Sequence, residues 1–92
     1  FPKSHLIAKA QYQMGNAYYL QKDYKNALKN QSAVVRRYPK NPVTPDAMLN
    51  MASCQIGLSD LASARKTLSE LIRKYPGTEA AKKAKERLAQ LG

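Results

Sequence analysis

The chain offers few side chains that could carry out catalysis. Its 92 residues include a single histidine, His5, and a single cysteine, Cys54. His5 has neither a cysteine nor a pair of carboxylates near it in the sequence. A nucleophile needs a neighbouring base, and a metal site needs several ligands. The sequence therefore predicts a protein that is not an enzyme and uses no metal or cofactor, and we interpret Cys54 as a small buried packing residue.

The charge of the chain points towards acidic partners. Lys and Arg number 16 against 6 Asp and Glu, for a formal net charge of +10. Such a chain attracts acidic peptides, anionic polymers and nucleic acids. The charge is dispersed, however, and no aromatic–glycine RNA-binding motif accompanies it. We therefore interpret most of it as a solvated surface, expect no specific nucleic-acid site, and keep binding to an anionic polymer as an alternative.

An internal repeat organises the whole sequence. The segment Arg36-Arg37-Tyr38-Pro39 returns 37 residues later as Arg73-Lys74-Tyr75-Pro76, and Phe1-Pro2-Lys3 is a shorter version of it. When residues 1–39 are aligned with residues 38–76, 11 of the 39 positions are identical. A period of this length is typical of a solenoid, in which each unit stacks on its neighbours.

Apolar residues recur at helical spacing throughout each repeat unit. It predicts helices over residues 5–21, 24–37, 45–58, 61–74 and 78–91. Asp23, Ser59 or Asp60, and Thr78 are the expected N-caps, and Gly57 is expected in the turn before the fourth helix. Gly15 suggests close approach of a second helix, with Ala27 as its expected partner. Met14, Val34, Met51, Leu68 and Leu71 are expected in the core. No apolar stretch reaches about 18 residues, so no transmembrane segment is expected.

The unit resembles a known repeat. Met14-Gly15-x-x-Tyr18, followed by Ala27 and Pro39, is similar to the tetratricopeptide (TPR) pattern, and Met51-Ala52, Ala64 and Pro76 follow it in the second unit. This resemblance implies an all-α TPR superhelix with two helix–turn–helix repeats and a C-terminal capping helix. The expected divisions are residues 1–4 (the end of a truncated preceding repeat), 5–41, 42–77 and 78–92.

A second set of motifs covers nearly the whole chain: Ala10-x-Tyr12-x-Met14-Gly15, Asp23-Tyr24-x-Asn26-Ala27, Tyr38-Pro39-Lys40-Asn41-Pro42, Pro45-Asp46-Ala47-Met48, Lys74-Tyr75-Pro76-Gly77-Thr78 and Ala81-Lys82-x-Ala84-x-x-Arg87-Leu88. The set resembles the C-terminal TPR domain of the Tol-Pal system protein YbgF, or cell division coordinator CpoB, family. The resemblance implies a periplasmic location, binding to TolA, and coordination of outer-membrane constriction with septal peptidoglycan synthesis by a bifunctional penicillin-binding protein. Another envelope TPR scaffold, such as the outer-membrane assembly lipoprotein BamD, has similar Tyr-Pro-ending repeats and stays an alternative.

The TPR resemblance also implies where a partner binds. First helices of stacked TPR units line a concave groove, and helical spacing places on that face Tyr12, Asn16, Tyr19, Leu49, Asn50, Ser53, Ile56, Lys83 and Arg87. Tyrosine and leucine offer apolar contact, and asparagine amides can hold the backbone of an extended peptide. The hot spots expected are Tyr12, Tyr19 and Arg87, since aromatic residues and arginine dominate interface energetics.

Three binding modes are open at this point. Asn16, Asn50, Lys83 and Arg87 resemble part of the carboxylate clamp of chaperone-binding TPR domains, although Tyr12 stands where that clamp has a lysine. The groove can instead hold an internal segment of a protein, or binding can occur at the convex face or the open end. At that end, Leu6, Ile7 and Ala10 lack a preceding repeat to cover them, so the sequence also predicts self-association.

Overall fold

The computed structural model describes the backbone of residues 2–91 and the side chains of residues 5–91, and over this range it contains helices and no strand. The five helices are α1 (Pro2–Leu20), α2 (Tyr24–Arg37), α3 (Thr44–Gly57), α4 (Leu61–Lys74) and α5 (Glu79–Leu91). The predicted all-α superhelix is confirmed. Helices α2 and α4 have the predicted bounds, and four boundaries of the other helices differ by one residue. The largest difference is at α1, which begins at Pro2 rather than at residue 5, so residues 2–4 lie in this helix. A proline at the first helical position fits because its missing N–H would have no partner there.

The two helix–turn–helix connections have the same geometry. Lys22 and Ser59, 37 residues apart, both have a φ of 63°. The next residue in each turn donates its backbone N–H back into the preceding helix, Asp23 to the carbonyl of Tyr18 (2.9 Å) and Asp60 to that of Gln55 (2.8 Å). This backbone pattern closes the C-terminus of a helix and aims the chain into the next one.

The predicted N-caps are confirmed. The carboxylate of Asp23 accepts the backbone N–H of Asn26 (3.3 Å), and that of Asp60 accepts the N–H of Ser63 (3.2 Å). Hydrogen bonding from Ser63 holds the pKa of Asp60 below its ordinary value. The hydroxyl of Thr78 accepts the N–H of Ala81 (3.1 Å) at the start of α5. Since these caps satisfy N–H groups that have no partner within the helix, they mark where α2, α4 and α5 begin.

Two glycines allow close contacts between helices. The predicted close approach of a second helix at Gly15 is confirmed, although its nearest neighbour is another residue than expected, and the place of Gly57 differs from the prediction. A Cβ on Gly15 would lie 2.6 Å from Cδ of Gln31, so the close partner of Gly15 is Gln31 rather than Ala27. Gly57 is the last residue of α3 and not the turn residue that was expected. A Cβ there would lie 2.8 Å from ring atoms of Tyr24. Packing between helices, rather than backbone conformation, explains both glycines.

The helices stack in chain order, each packed against the next, and α3 also contacts α1 and α5. This arrangement places α1, α3 and α5 side by side, with α2 and α4 behind them. The main core lies between α3, α4 and α5 and consists of Met48, Leu49, Ala52, Leu68, Leu71, Ala80 and Ala84. No helix within residues 2–91 combines the length and hydrophobicity required to cross a bilayer.

The outer face of α1 is uncovered. Leu6, Ile7 and Met14 expose 67%, 53% and 52% of their surface, so the prediction that Met14 lies in the core is wrong. The corresponding face of α3 is covered: Ala47 and Cys54 are fully buried where α2 packs against that helix. Met14 is exposed because, in the described structure, no helix packs against the outer side of α1.

The repeated Tyr-Pro segments connect the two units. Tyr75, at the end of α4, donates its hydroxyl proton to the carbonyl of Pro39, at the end of α2 (2.7 Å). Burial raises the pKa of the Tyr75 hydroxyl above its ordinary value. The hydroxyl of Thr44 donates to the carbonyl of Tyr38 in the same connector. The motif that repeats in the sequence therefore joins the end of one repeat to the end of the next.

Candidate functional site

Four of the predicted groove residues meet around one cavity. Tyr19 comes from α1, Ser53 and Ile56 come from α3, and Arg87 comes from α5. Gln90 and Leu91, in the last turn of α5, complete a cavity of about 320 Å³. Sequence analysis did not include these two residues, although they lie three and four positions after Arg87 and so on the same helix face.

Two hydrogen bonds between predicted groove residues link α1, α3 and α5. The side-chain amide of Asn50 donates to Oδ1 of Asn16, and Nη1 of Arg87 donates to Oγ of Ser53. The two residues of each pair lie 34 positions apart in the sequence. Asn16 and Ser53 occupy equivalent positions in the two repeats, as do Asn50 and Arg87. The two bonds therefore form a ladder of polar links in the repeat register, with one link from α3 to α1 and one from α5 to α3.

Gln31 supports this ladder from below. Its side chain is fully buried between α2 and α1, and its Nε2 donates to the carbonyl of Tyr12 (3.1 Å) and to Oδ1 of Asn16 (3.4 Å). Oε1 of Gln31 has no hydrogen-bond partner among the described residues. Because Asn16 receives bonds from both Gln31 and Asn50, the position of its amide is set by two helices. The Asn16 NH₂ group and the Asn50 carbonyl oxygen remain to bind a ligand.

The apolar side of the groove is built on an aromatic pair. Tyr19 packs edge to face against Tyr24, with ring centroids 5.6 Å apart and an interplanar angle of 62°. Such pairs stabilise beyond their buried area. Tyr24 rests on Gly57 in turn, at the end of α3. Tyr19 keeps 38% of its surface exposed and lines the cavity, so its ring is held by Tyr24 and still accessible.

Arg87 provides the positive charge of the cavity. Its side chain is half-buried, and the structure shows no ion pair between it and any described carboxylate. The bond to Ser53 uses one of five guanidinium N–H donors. The remaining donors can bind an acceptor within the groove, and the partial burial strengthens such a bond relative to one in open water.

The remaining predicted groove residues contribute little exposed side-chain surface to the cavity. Leu49 exposes 7% of its surface and belongs to the core, so it does not offer the apolar contact expected of it, because α4 and α5 cover this part of α3. Ser53 is equally buried and acts through its bond with Arg87. Lys83 is exposed on α5 and does not line the cavity, and Tyr12 takes part through its backbone carbonyl. The site as a whole stays a prediction.

The residues considered for catalysis lie apart from one another. Nδ1 of His5 lies 3.2 Å from the side-chain nitrogen of Asn41, beside the connector between the repeats. Cys54 is fully buried, as predicted, and burial raises the pKa of its thiol from 9.0 to about 11. Within residues 5–91, no group of three His, Cys, Asp or Glu side chains could hold a metal ion.

Comparison with known families identifies the class of protein. The tetratricopeptide repeat family model matches residues 6–77, which spans α1 to α4 and the turn after α4. The chain belongs to the tetratricopeptide repeat family. Repeats of this family are typically modules for protein–protein interaction and not catalytic domains. A search of curated proteins finds no match to the chain.

Proposed function

We propose that the groove binds an extended internal segment of a protein partner. The observation that carries this proposal is the cavity formed by Tyr19, Ile56 and Arg87, three side chains from three successive first helices. Aromatic rings and guanidinium groups dominate the energetics of protein interfaces, and the aliphatic side chain adds apolar contact beside them. The polar ladder beside them supplies amide groups for the backbone of the bound segment.

An internal segment is favoured over a C-terminal carboxylate. A carboxylate clamp needs several converging cations, whereas Tyr12 stands in the position of one and Lys83 does not line the cavity. Arg87 alone remains as a charged contact there. The groove therefore selects a segment by its apolar side chains and backbone, with one polar or acidic side chain placed opposite Arg87.

The proposed biological role is that of a non-catalytic module of the Gram-negative cell envelope. In this role the chain lies in the periplasm and binds TolA and a bifunctional penicillin-binding protein, so that outer-membrane constriction is coordinated with septal peptidoglycan synthesis. The support is the resemblance carried by the repeated Tyr-Pro segments and by the closing motif on α5. The alternatives are an outer-membrane assembly scaffold of the BamD type and a module that binds an anionic polymer.

The uncovered face of α1 is a second contact surface in this proposal. It presents Leu6, Ile7, Ala10, Met14 and Ala17, all of them apolar. Self-association through this face follows from the sequence prediction, and the exposure of Leu6 and Ile7 supports it.

The test is a titration of the chain with the soluble periplasmic part of TolA, at low and at high salt. Saturable binding that survives high salt is expected, because Tyr19, Ile56 and uncharged polar groups supply most of the contacts and Arg87 is the one cation that lines the cavity. Tyr19→Ala should weaken binding, while Tyr18→Ala is the matched control, since Tyr18 lines a groove on the other side of α1. Failure to bind TolA would overturn the proposed role in coordinating constriction with septal peptidoglycan synthesis and leave the alternatives. Binding that is unchanged in Tyr19→Ala would move the site away from the concave face.

A further inference from the structure

The outer faces of α2 and α4 hold half of the positive charge of the chain. Helix α2 contains four Lys or Arg residues and no acidic residue, and α4 contains four with one glutamate. All eight of these basic side chains are exposed: Lys25, Lys29, Arg36, Arg37, Arg65, Lys66, Arg73 and Lys74. Glu70 is engaged by Lys74, at 3.8 Å. Asp23 and Asp60 lie at the N-termini of these helices, where they act as caps.

The basic residues form two matching stripes. Lys29 and Arg36 lie seven residues apart and so share one face of α2, opposite the buried Ala27 and Gln31. Lys66 and Arg73 occupy the equivalent positions on α4, 37 residues later. Both helices pack on α3, and each stripe lies on the side of its helix opposite those buried residues or their equivalents. The α2 stripe also borders the groove that Gln11 and Tyr18 of α1 line. We call Lys29, Arg36, Lys66 and Arg73 the basic stripes.

We propose that the basic stripes hold the protein on the surface of an anionic lipid bilayer. Clusters of four to eight Lys or Arg residues on a helical surface attract anionic lipids with an energy that adds up over the cations. Lipids move laterally and can gather beneath each cation, so the bilayer needs no shape that matches the stripes. The attachment is peripheral and electrostatic, with no helix inserted.

The composition of the stripes argues against other anionic partners. On the two helices themselves, the residues between the basic ones are Ser32, Ala33, Ser69 and Glu70, none of them aromatic or large and apolar. Tyr18 of α1, which is half-buried, lines the groove beside Lys29 and Arg36. A protein interface needs an apolar or aromatic centre. Single-stranded nucleic acid is held by aromatic side chains that stack on its bases. One half-buried tyrosine beside one of the two stripes provides neither an apolar interface centre nor a series of stacking rings, so the charge fits a surface of mobile anionic headgroups best.

Binding to a bilayer leaves the groove free. The groove residues Tyr19, Ile56 and Arg87 come from α1, α3 and α5, whereas the stripes come from α2 and α4. Because the two sets of helices form opposite sides of the stack, the protein can contact a membrane and a partner segment at once. The inference does not depend on which partner the groove binds.

The experiment is co-sedimentation with vesicles of about one part phosphatidylglycerol to two parts phosphatidylcholine, with vesicles of phosphatidylcholine alone as the neutral probe. The stripe variant is K29Q/R36Q/K66Q/R73Q. The matched control, K9Q/K82Q/K83Q/K85Q, removes the same amount of charge from exposed positions on α1 and α5. Circular dichroism checks that both variants keep the helical fold.

Binding to the anionic vesicles alone is expected, and it should weaken as salt rises. The stripe variant should lose about 100-fold or more in affinity, since each cation near the surface contributes about tenfold or less. The control variant should change by less than about fivefold. Equal losses in the two variants, or no binding by the wild-type chain, would overturn the proposal. Tighter binding to duplex DNA than to vesicles, lost in the stripe variant, would also overturn it in favour of nucleic acid.

Discussion

Arg87 donates a hydrogen bond to Ser53 across the groove, and it does so in the same register in which Asn50 donates to Asn16 one repeat earlier. The pair joins α5, the capping helix, to α3. It leaves four N–H donors of the guanidinium for other partners. Arg87 is therefore held in place by the fold while most of its binding capacity remains unused.

Arg87→Gln should weaken binding of a partner segment by about 30-fold, because a buried arginine at an interface contributes about 2 kcal/mol. Lys83→Gln is the matched control, since Lys83 is a cation one turn earlier on α5 that does not line the cavity. Isothermal titration with the bound segment measures both. A loss in Lys83→Gln as large as that in Arg87→Gln would indicate a two-cation site and would contradict the groove described above.

Gly15→Ala should destabilise the fold by about 1 kcal/mol. The new Cβ would overlap Gln31, and such overpacking outweighs the helix propensity that alanine adds. The second repeat has Ala52 and Leu68 at these two positions, and both are in its core. Adding Gln31→Leu to Gly15→Ala should therefore recover stability.

Urea denaturation of the two single variants and the double variant gives the coupling energy. Additive effects would show that Gly15 and Gln31 do not constrain each other.

The thiol of Cys54 should make the stability fall at high pH. Its pKa is about 11 in the folded chain against 9.0 for an ordinary thiol, so above pH 9 the unfolded state loses its proton first. The unfolded state then binds fewer protons than the native state, and the free energy of unfolding decreases as pH rises. Between pH 9 and 11 the loss should reach about 2–3 kcal/mol.

Cys54→Ala isolates this effect from other titrating groups, including Tyr75. The difference in the free energy of unfolding between the wild-type chain and Cys54→Ala should be constant below about pH 8–8.5. Above that range, the difference should shift against the wild type. Parallel stability curves for the two proteins up to pH 11 would mean that the thiol is not desolvated.

Lys22→Gly should stabilise the protein by about 0.5–1 kcal/mol. Lys22 has a φ of 63°, a conformation that glycine adopts without steric cost. Gln21→Gly is the control, because Gln21 has no positive φ and glycine there only adds freedom to the unfolded chain. Thermal unfolding of both variants should shift the melting temperature in opposite directions, and a fall in both would contradict the assigned turn geometry.

The uncovered face of α1 should make the chain self-associate at high concentration. The variant Ile7→Gln/Met14→Gln replaces two side chains that are more than half exposed and should remain monomeric. Leu61→Gln is the matched control, since Leu61 is 41% exposed on α4. Salt should promote association because it screens the repulsion between basic chains. Sedimentation equilibrium measures the assembly, and a wild-type chain that stays monomeric at high concentration would contradict the prediction.

The sequence by itself determined the local structure and the repeat. The 37-residue period, the apolar spacing and the capping residues depend on interactions within a few positions, so five helices, the N-caps Asp23, Asp60 and Thr78, and the repeat family were all predictable from it. Helical periodicity also put Tyr19, Ser53, Ile56 and Arg87 each on one side of its own helix, and the structure places all four around one cavity, while the binding groove itself stays a prediction.

Only the tertiary structure decided which side chains are covered. Periodicity cannot tell whether a face packs on a neighbour, so Met14 was placed in the core and Leu49 on the groove, and both expectations were reversed by what packs beside them. The partner of Gly15 depended on the crossing of α1 and α2. The ladder from Asn50 to Asn16 and from Arg87 to Ser53 depends on the stagger of successive repeats, which is set by close packing between helices and not by the spacing within any one of them.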